Sequence, residues 1–222
     1  LKAPARKSLA EFAGIPVSMV DDFGLELALG PGVRETAERY QRTAAASFDF
    51  YPPAHHSKLG TRIWQLPHNA VLYQTFRRLS RDGTDDAKKM DQAQLDYDIT
   101  LIRPMMHTVG HGHQRFTADN PAWKESAKFY PALATADIYS VPKGRALFIL
   151  QRRDANGQVV DFIVIQVDTG ENVVVPAGYD HISLNIGNDT LVIVNWNSRQ
   201  AGSEYDWVKK RRGFAYLPDW DD

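Results

Sequence analysis

A chain of 222 residues, 43% hydrophobic and 24% charged, holds enough apolar material for a sizeable core and fits one domain or one domain with an extension. Its 26 basic and 27 acidic residues give a formal net charge of −1, so there is no cationic excess to hold a nucleic-acid backbone or an anionic membrane surface. The absence of cysteine excludes disulfides, thiolate metal sites and thiol nucleophiles. No apolar run approaches the roughly 18 residues of a membrane span. The first seven residues lack an apolar signal core, and a cytoplasmic location is the default expectation.

In chain order, residues 1–60 read as an N-terminal helical or extended arm. Pro31 and Gly32 would break any earlier helix, and the Ala-rich stretch 33–47, with Glu35, Glu38, Arg39 and Arg42, then reads as helical. An aromatic and proline segment follows, and then His55 and His56, which read as surface or capping residues, as does His68. From residue 61 to 222 the pattern changes to short runs rich in Val, Ile, Leu, Tyr and Phe. Strands are expected at 70–76, 97–102, 137–141, 146–151, 159–167, 172–175, 182–186 and 191–196. Asp154-Ala155-Asn156-Gly157 is a hairpin signal, and Gly187-Asn188-Asp189 marks a second turn. Many short strands at this spacing mean a sandwich or a barrel, so the fold class is all-β with an N-terminal helical extension.

Two clusters carry the chemistry. The first is His107-Thr108-Val109-Gly110-His111-Gly112-His113. On a strand, His107, His111 and His113 share one face, and two imidazoles two residues apart can converge on one metal ion. The competing reading is a polar strand with solvated histidines. The second cluster is Gly170, Pro176, Gly178, His181 and Asn185, in the pattern G-x5-P-x-G-x2-H-x3-N. Asn185 shares a strand face with His181, and a structural role in the adjacent turn is favoured for it.

That pattern resembles the second motif of the cupin superfamily, and His111 and His113 resemble the H-x-H of the first. Asp137, followed after six residues by Gly144, resembles the first motif's carboxylate and closing glycine. The resemblance implies a cupin jelly-roll barrel. Five blocks look like the cupin-type phosphoglucose isomerases, which interconvert glucose 6-phosphate and fructose 6-phosphate. They are Thr100-Leu-Ile-Arg-Pro104, Thr108 to His113, Asp137 to Gly144, Val175 to Gly187, and Ala201-Gly-Ser-Glu-Tyr205 running on to Phe214. The likeness covers roughly the C-terminal two-thirds, leaving the first sixty residues outside. It implies one divalent metal, iron, manganese, zinc or nickel, held by His111, His113, Asp137 and His181. It also places Thr100, Thr108, Gly110, Tyr139 and Tyr205 around a sugar-phosphate pocket, with Asp137 and Tyr139 in catalytic roles.

The chain departs from that pattern in three places. The family's Glu is Asp137 here, set after an insertion at residues 114–136 that contains Asp119 and Glu125 as rival ligands. Val109 stands where a lysine is common, and Ser203 where the family has a histidine. The expected function is metal-dependent aldose–ketose isomerisation of a sugar phosphate. The alternatives are a non-haem Fe(II) oxygenase, which also uses two histidines and a carboxylate, and a non-catalytic sugar-binding cupin. The expected partner is a small-molecule substrate, with no nucleic acid and no membrane, and a homodimer is expected from edge-strand pairing. The basic run Lys209 to Arg212 reads as a solvated helix end, and Trp207 and Trp220 as packing for the tail.

Overall fold

The computed structural model describes residues 8–22, 24–50, 63–108, 112–116, 136–154, 156–199 and 201–217, with the backbone alone at 112–116 and 201–204. The chain opens with α1 (Leu9–Ala13), a short helix held by a reciprocal cap. Ser8 Oγ accepts from Glu11 N at 3.2 Å while Glu11 Oε2 accepts from Ser8 N at 2.7 Å. A small hairpin, β1 (Val17–Met19) with β2 (Leu27–Leu29), precedes β3 (Val33–Glu35) and β4 (Tyr40–Thr43).

The stretch 33–47 is therefore not the helix its composition suggests: two strands are followed by a single 3-10 turn, Ala45–Ser47. Helix propensity is worth only tenths of a kcal/mol per residue and yields to tertiary pairing. Here the pairing is specific. Strand β4 adds to the edge of β5 (Val71–Phe76), and β3 pairs with β6 (Leu79–Arg81). Glu35 accepts from Arg77 N at 3.1 Å, and the Arg39 guanidinium lies 4.1 Å over the ring of Phe76. The β4–β5 pairing joins residues on either side of position 60.

After helix α2 (Asp86–Ala93) come β7 (Leu95–Ile102), β8 (Gly112–Phe116), β9 (Asp137–Lys143), β10 (Arg145–Arg153) and β11 (Val159–Asp168). Strands β12 (Asn172–Val175), β13 (Tyr179–Asn185), β14 (Leu191–Ser198) and β15 (Ala201–Glu204) and the helix α3 (Asp206–Arg211) complete the described chain. All eight expected strands are present. Six strands form one sheet in the order β12-β9-β14-β7-β5-β4, and β11-β10-β13 form a second, with the β8–β15 pair packed beside β13. The two sheets enclose Ile102, Val141, Phe148, Leu150, Ile193 and their neighbours, which makes the jelly-roll barrel of a cupin.

A second apolar layer lies on the outer face of the six-stranded sheet. Tyr97, Ile99, Leu101, Val192 and Val194 point that way and are covered by Ile15, Val17, Leu25 and Leu27 of the arm. Polar ties hold the arm down: Tyr97 donates to Ala13 O at 3.1 Å, Thr190 donates through Oγ1 to Gly24 O at 3.1 Å, and Lys143 pairs with Asp22. Strand β7 is thus buried on both faces. Among the described residues no helix is long and apolar enough to cross a membrane.

Candidate metal centre and substrate pocket

Side chains alternate along a strand, so the register shows which of them share the barrel interior. On β14, Leu191 and Ile193 belong to the interior core, and Val192 and Val194 to the outer layer. Asn195 therefore points inward, level with Tyr139 of β9 and Asp98 of β7, which are its partners on either side. One row on, Ile193 pairs with Thr100, which pairs in turn with Thr75. The interior changes character along its length, from Val141, Ile193 and Ile102 to a polar end holding Asp137, Tyr139, Asn195 and Asp98.

His181 reaches this polar end from the opposite sheet, where it pairs with Leu150 of β10. A turn delivers it. Tyr179 N bonds to Pro176 O at 3.3 Å, and Gly178, at φ 89°, takes a left-handed conformation that a side chain would strain. At the far end of β13, Asn185 has the structural role favoured for it. Its amide donates to Ile102 O at 2.9 Å and Asp189 O at 2.8 Å, and its Oδ1 accepts from Gly187 N at 2.9 Å, closing the turn into β14.

His181 and Asp137 meet inside the barrel. His181 Nε2 lies 3.8 Å from Asp137 Oδ2 and 2.8 Å from the hydroxyl of Tyr139, with both His181 and Asp137 only 1% exposed. Asp137 Oδ1 is buried without a hydrogen-bond partner among the described residues. Burial pushes the Asp137 carboxyl up to about 7, because a buried carboxylate loses its hydration. Burial likewise raises the Tyr139 phenol well above its ordinary range, and the nearby Asp137, Tyr205, Asp98 and Tyr73 add to the effect.

The remaining expected site residues are placed as follows. Thr100 is buried, its hydroxyl 2.9 Å from that of Thr75. Thr108 staples the histidine-rich segment to β13: its N donates to Ser183 O at 2.9 Å and its Oγ1 accepts from Ser183 N at 3.1 Å. Tyr205 immediately precedes α3, partly buried, with its ring edge-on to Phe50 at 6.0 Å. His107 is buried next to Leu184 of β13, with Nδ1 2.6 Å from Thr108 O, and burial pushes it down to about 4. His113 belongs to β8, whose backbone lies beside the strand of His181. Gly110, His111, Asp119, Glu125, His55, His56 and Trp220 lie outside the described residues.

Asp98 and Asn195 were not singled out from sequence. The signal was there, in polar residues at two-residue spacing inside apolar strands: Asp96, Asp98 and Thr100 on β7, and Asn195 and Asn197 on β14. Its meaning depends on which face is interior, and that needs the sheet order.

Among the described residues no three metal-binding side chains converge, and the pair that does is Asp137 with His181. An imidazole nitrogen and a carboxylate oxygen are donor types a divalent transition ion accepts, and an undonated Asp137 Oδ1 leaves the carboxylate free to serve it, so the described residues fit such an ion. A cleft of about 560 Å³ between the outer face of β10 and β11 and helix α3 is a separate feature. Its walls include Gln151 and Asp180, which point away from His181, and its main charges are satisfied internally, by the Arg153–Asp180 ion pair with the Arg153 guanidinium 5.0 Å over Trp207.

The family model described as glucose-6-phosphate isomerase (GPI) matches residues 62–218. Among solved structures, the chain resembles an oxalate oxidase at 17% identity and a TM-score of 0.41, over 60% of this chain and 54% of that one. It resembles hazelnut (Corylus avellana) vicilin at 14% and 0.41, over 60% and 32%. It resembles oxalate decarboxylase from Bacillus subtilis at 13% and 0.39, over 61% and 28%. The matched region thus spans about half of the oxalate oxidase chain and less of the other two. No curated protein sequence matches.

Proposed function

The chain belongs to the glucose-6-phosphate isomerase family, and from that premise we propose that it is a metal-dependent aldose–ketose isomerase acting on a sugar phosphate. The observation that carries the reading is the buried meeting of Asp137, His181 and Tyr139, with Nε2 3.8 Å from the carboxylate and 2.8 Å from the phenol. His111, His113, Asp137 and His181 would hold one divalent ion. Such an ion, when bound, supplies Lewis-acid polarisation of a sugar carbonyl and its neighbouring hydroxyl.

The chain's own residues supply the rest. Asp137 Oδ2 lies on the His181 side, which leaves Oδ1, the oxygen without a donor, to take a proton from one sugar carbon and return it to the next. Tyr139 orients His181 through its hydroxyl and presents that hydroxyl to a substrate oxygen. The barrel wall of Ile193, Val141 and Phe148 excludes water from the reacting carbons. Thr100, Thr108, Gly110 and Tyr205 are assigned to the sugar phosphate, and the described part of residues 1–60 to bracing the outside of the barrel. Strand β11, an edge strand among the described residues with Val160 and Val164 exposed, supports a homodimer. A cytoplasmic location completes the reading.

The test is metal analysis of the purified protein, with interconversion of glucose 6-phosphate and fructose 6-phosphate measured on wild type and His181→Ala. We expect near-stoichiometric divalent metal and turnover in the wild type, with both lost in the variant and activity down by about 10³-fold. A wild type that stays metal-free after incubation with iron, manganese and zinc, or one that turns over only with oxygen uptake, refutes the isomerase.

A further inference from the structure

The two side chains that flank Asn195 across the sheet are already engaged. Tyr139 bonds to His181, and Asp98 accepts from Arg78 N at 2.9 Å and from the Asn197 amide at 3.2 Å. Asn195 lies between them on the inner face of β14, only 8% exposed, and its amide makes no hydrogen bond to any described residue. Branched apolar side chains fill the equivalent inward positions of the same strand at Leu191 and Ile193. The amide keeps a small contact with solvent, so a molecule entering the polar end of the barrel can reach it, while most of its hydration is lost with no protein partner in return. A mostly buried polar side chain that makes no hydrogen bond within the protein calls for an explanation, and a bound molecule supplies one.

We propose that Asn195 is a substrate-binding residue, whose amide meets a hydroxyl of the sugar chain beside the Tyr139–His181 pair. A hydroxyl both donates and accepts, as the amide does, so the pairing selects a polyhydroxy aldehyde or ketone over a small dicarboxylate or an apolar molecule. The inference rests on the isomerase reading and extends it by naming a contact on β14 that selects the substrate class.

The experiment compares wild type, Asn195→Val and Asn195→Ala by thermal melting, metal content and steady-state isomerisation of fructose 6-phosphate. Expected are wild-type metal content in both variants, a raised melting temperature for Asn195→Val, and a KM about 10-fold higher in both. A raised melting temperature together with weakened substrate binding is the signature of a residue kept for its ligand. Two results would overturn the proposal while leaving the isomerase standing: a KM within about twofold of wild type in both variants, or melting temperatures that fall in both. If the wild type itself neither turns over fructose 6-phosphate nor binds it by calorimetry, the isomerase reading fails and this contact fails with it.

Discussion

Strands β7 and β14 serve two purposes on their two faces. Outward, Ile99, Leu101, Val192 and Val194 form a dry seam under the N-terminal arm. Inward, one residue away at every step, Asp98, Thr100 and Asn195 face the polar end of the barrel, where Asp137 and His181 meet. The outer face contributes apolar burial and nothing reactive. The inner face carries buried carboxylates and amides that a core optimised for stability would not keep. Placing both on the same strands means that the candidate site is backed by the seam behind it, so its side chains sit on backbone packed from both sides.

This contrast can be broken by experiment. Ile99→Ala removes a fully buried side chain from the seam and should cost about 3 kcal/mol in a denaturant melt, with KM unchanged. A loss below about 1 kcal/mol would mean that the arm is not a packed part of the fold. On the inner face, Thr100→Val removes the hydroxyl bonded to Thr75. It should cost about 1 kcal/mol and, because Thr100 is assigned to the sugar phosphate, raise KM several-fold. An unchanged KM would move Thr100 from the pocket to the framework. The smallest effect is expected at the arm's edge, where Lys143→Met breaks the pair with Asp22. Both partners keep solvent contact, Asp22 at 75% exposure, so the loss should stay under about 0.5 kcal/mol. A larger loss in the melt would show that the arm depends on charge as well as on its apolar seam.

The strand pattern was legible because the barrel's two-faced strands are rich in branched and aromatic residues. The turn chemistry was legible too: Asp154 and Gly157 close the β10–β11 hairpin, with Gly157 N bonded to Asp154 O at 3.0 Å. The segment 33–47 was misread because alanine, glutamate and arginine favour a helix locally, while the pairing partners that override them lie 28 to 48 residues further on, in β5 and β6. His181 and Asp137 could be named from motif spacing, yet spacing carries no information on distance across a barrel. Asp98 and Asn195 went unnoticed because a lone polar residue in an apolar strand reads the same whether it faces solvent or a pocket.

By itself, the sequence determined an all-β fold, the turn at Pro176 and Gly178 that brings in His181, and the residue types able to bind a divalent ion. Those properties reside in local backbone preference and side-chain chemistry. Only the tertiary structure decided that β4 joins the main sheet, that the arm seals one face of β7 and β14, and that Asp137, Tyr139, His181 and Asn195 share one interior end. The physical reason is that strand partners and the buried face are set by contacts between residues far apart in the chain, and each one-residue step along a strand reverses the face a side chain meets.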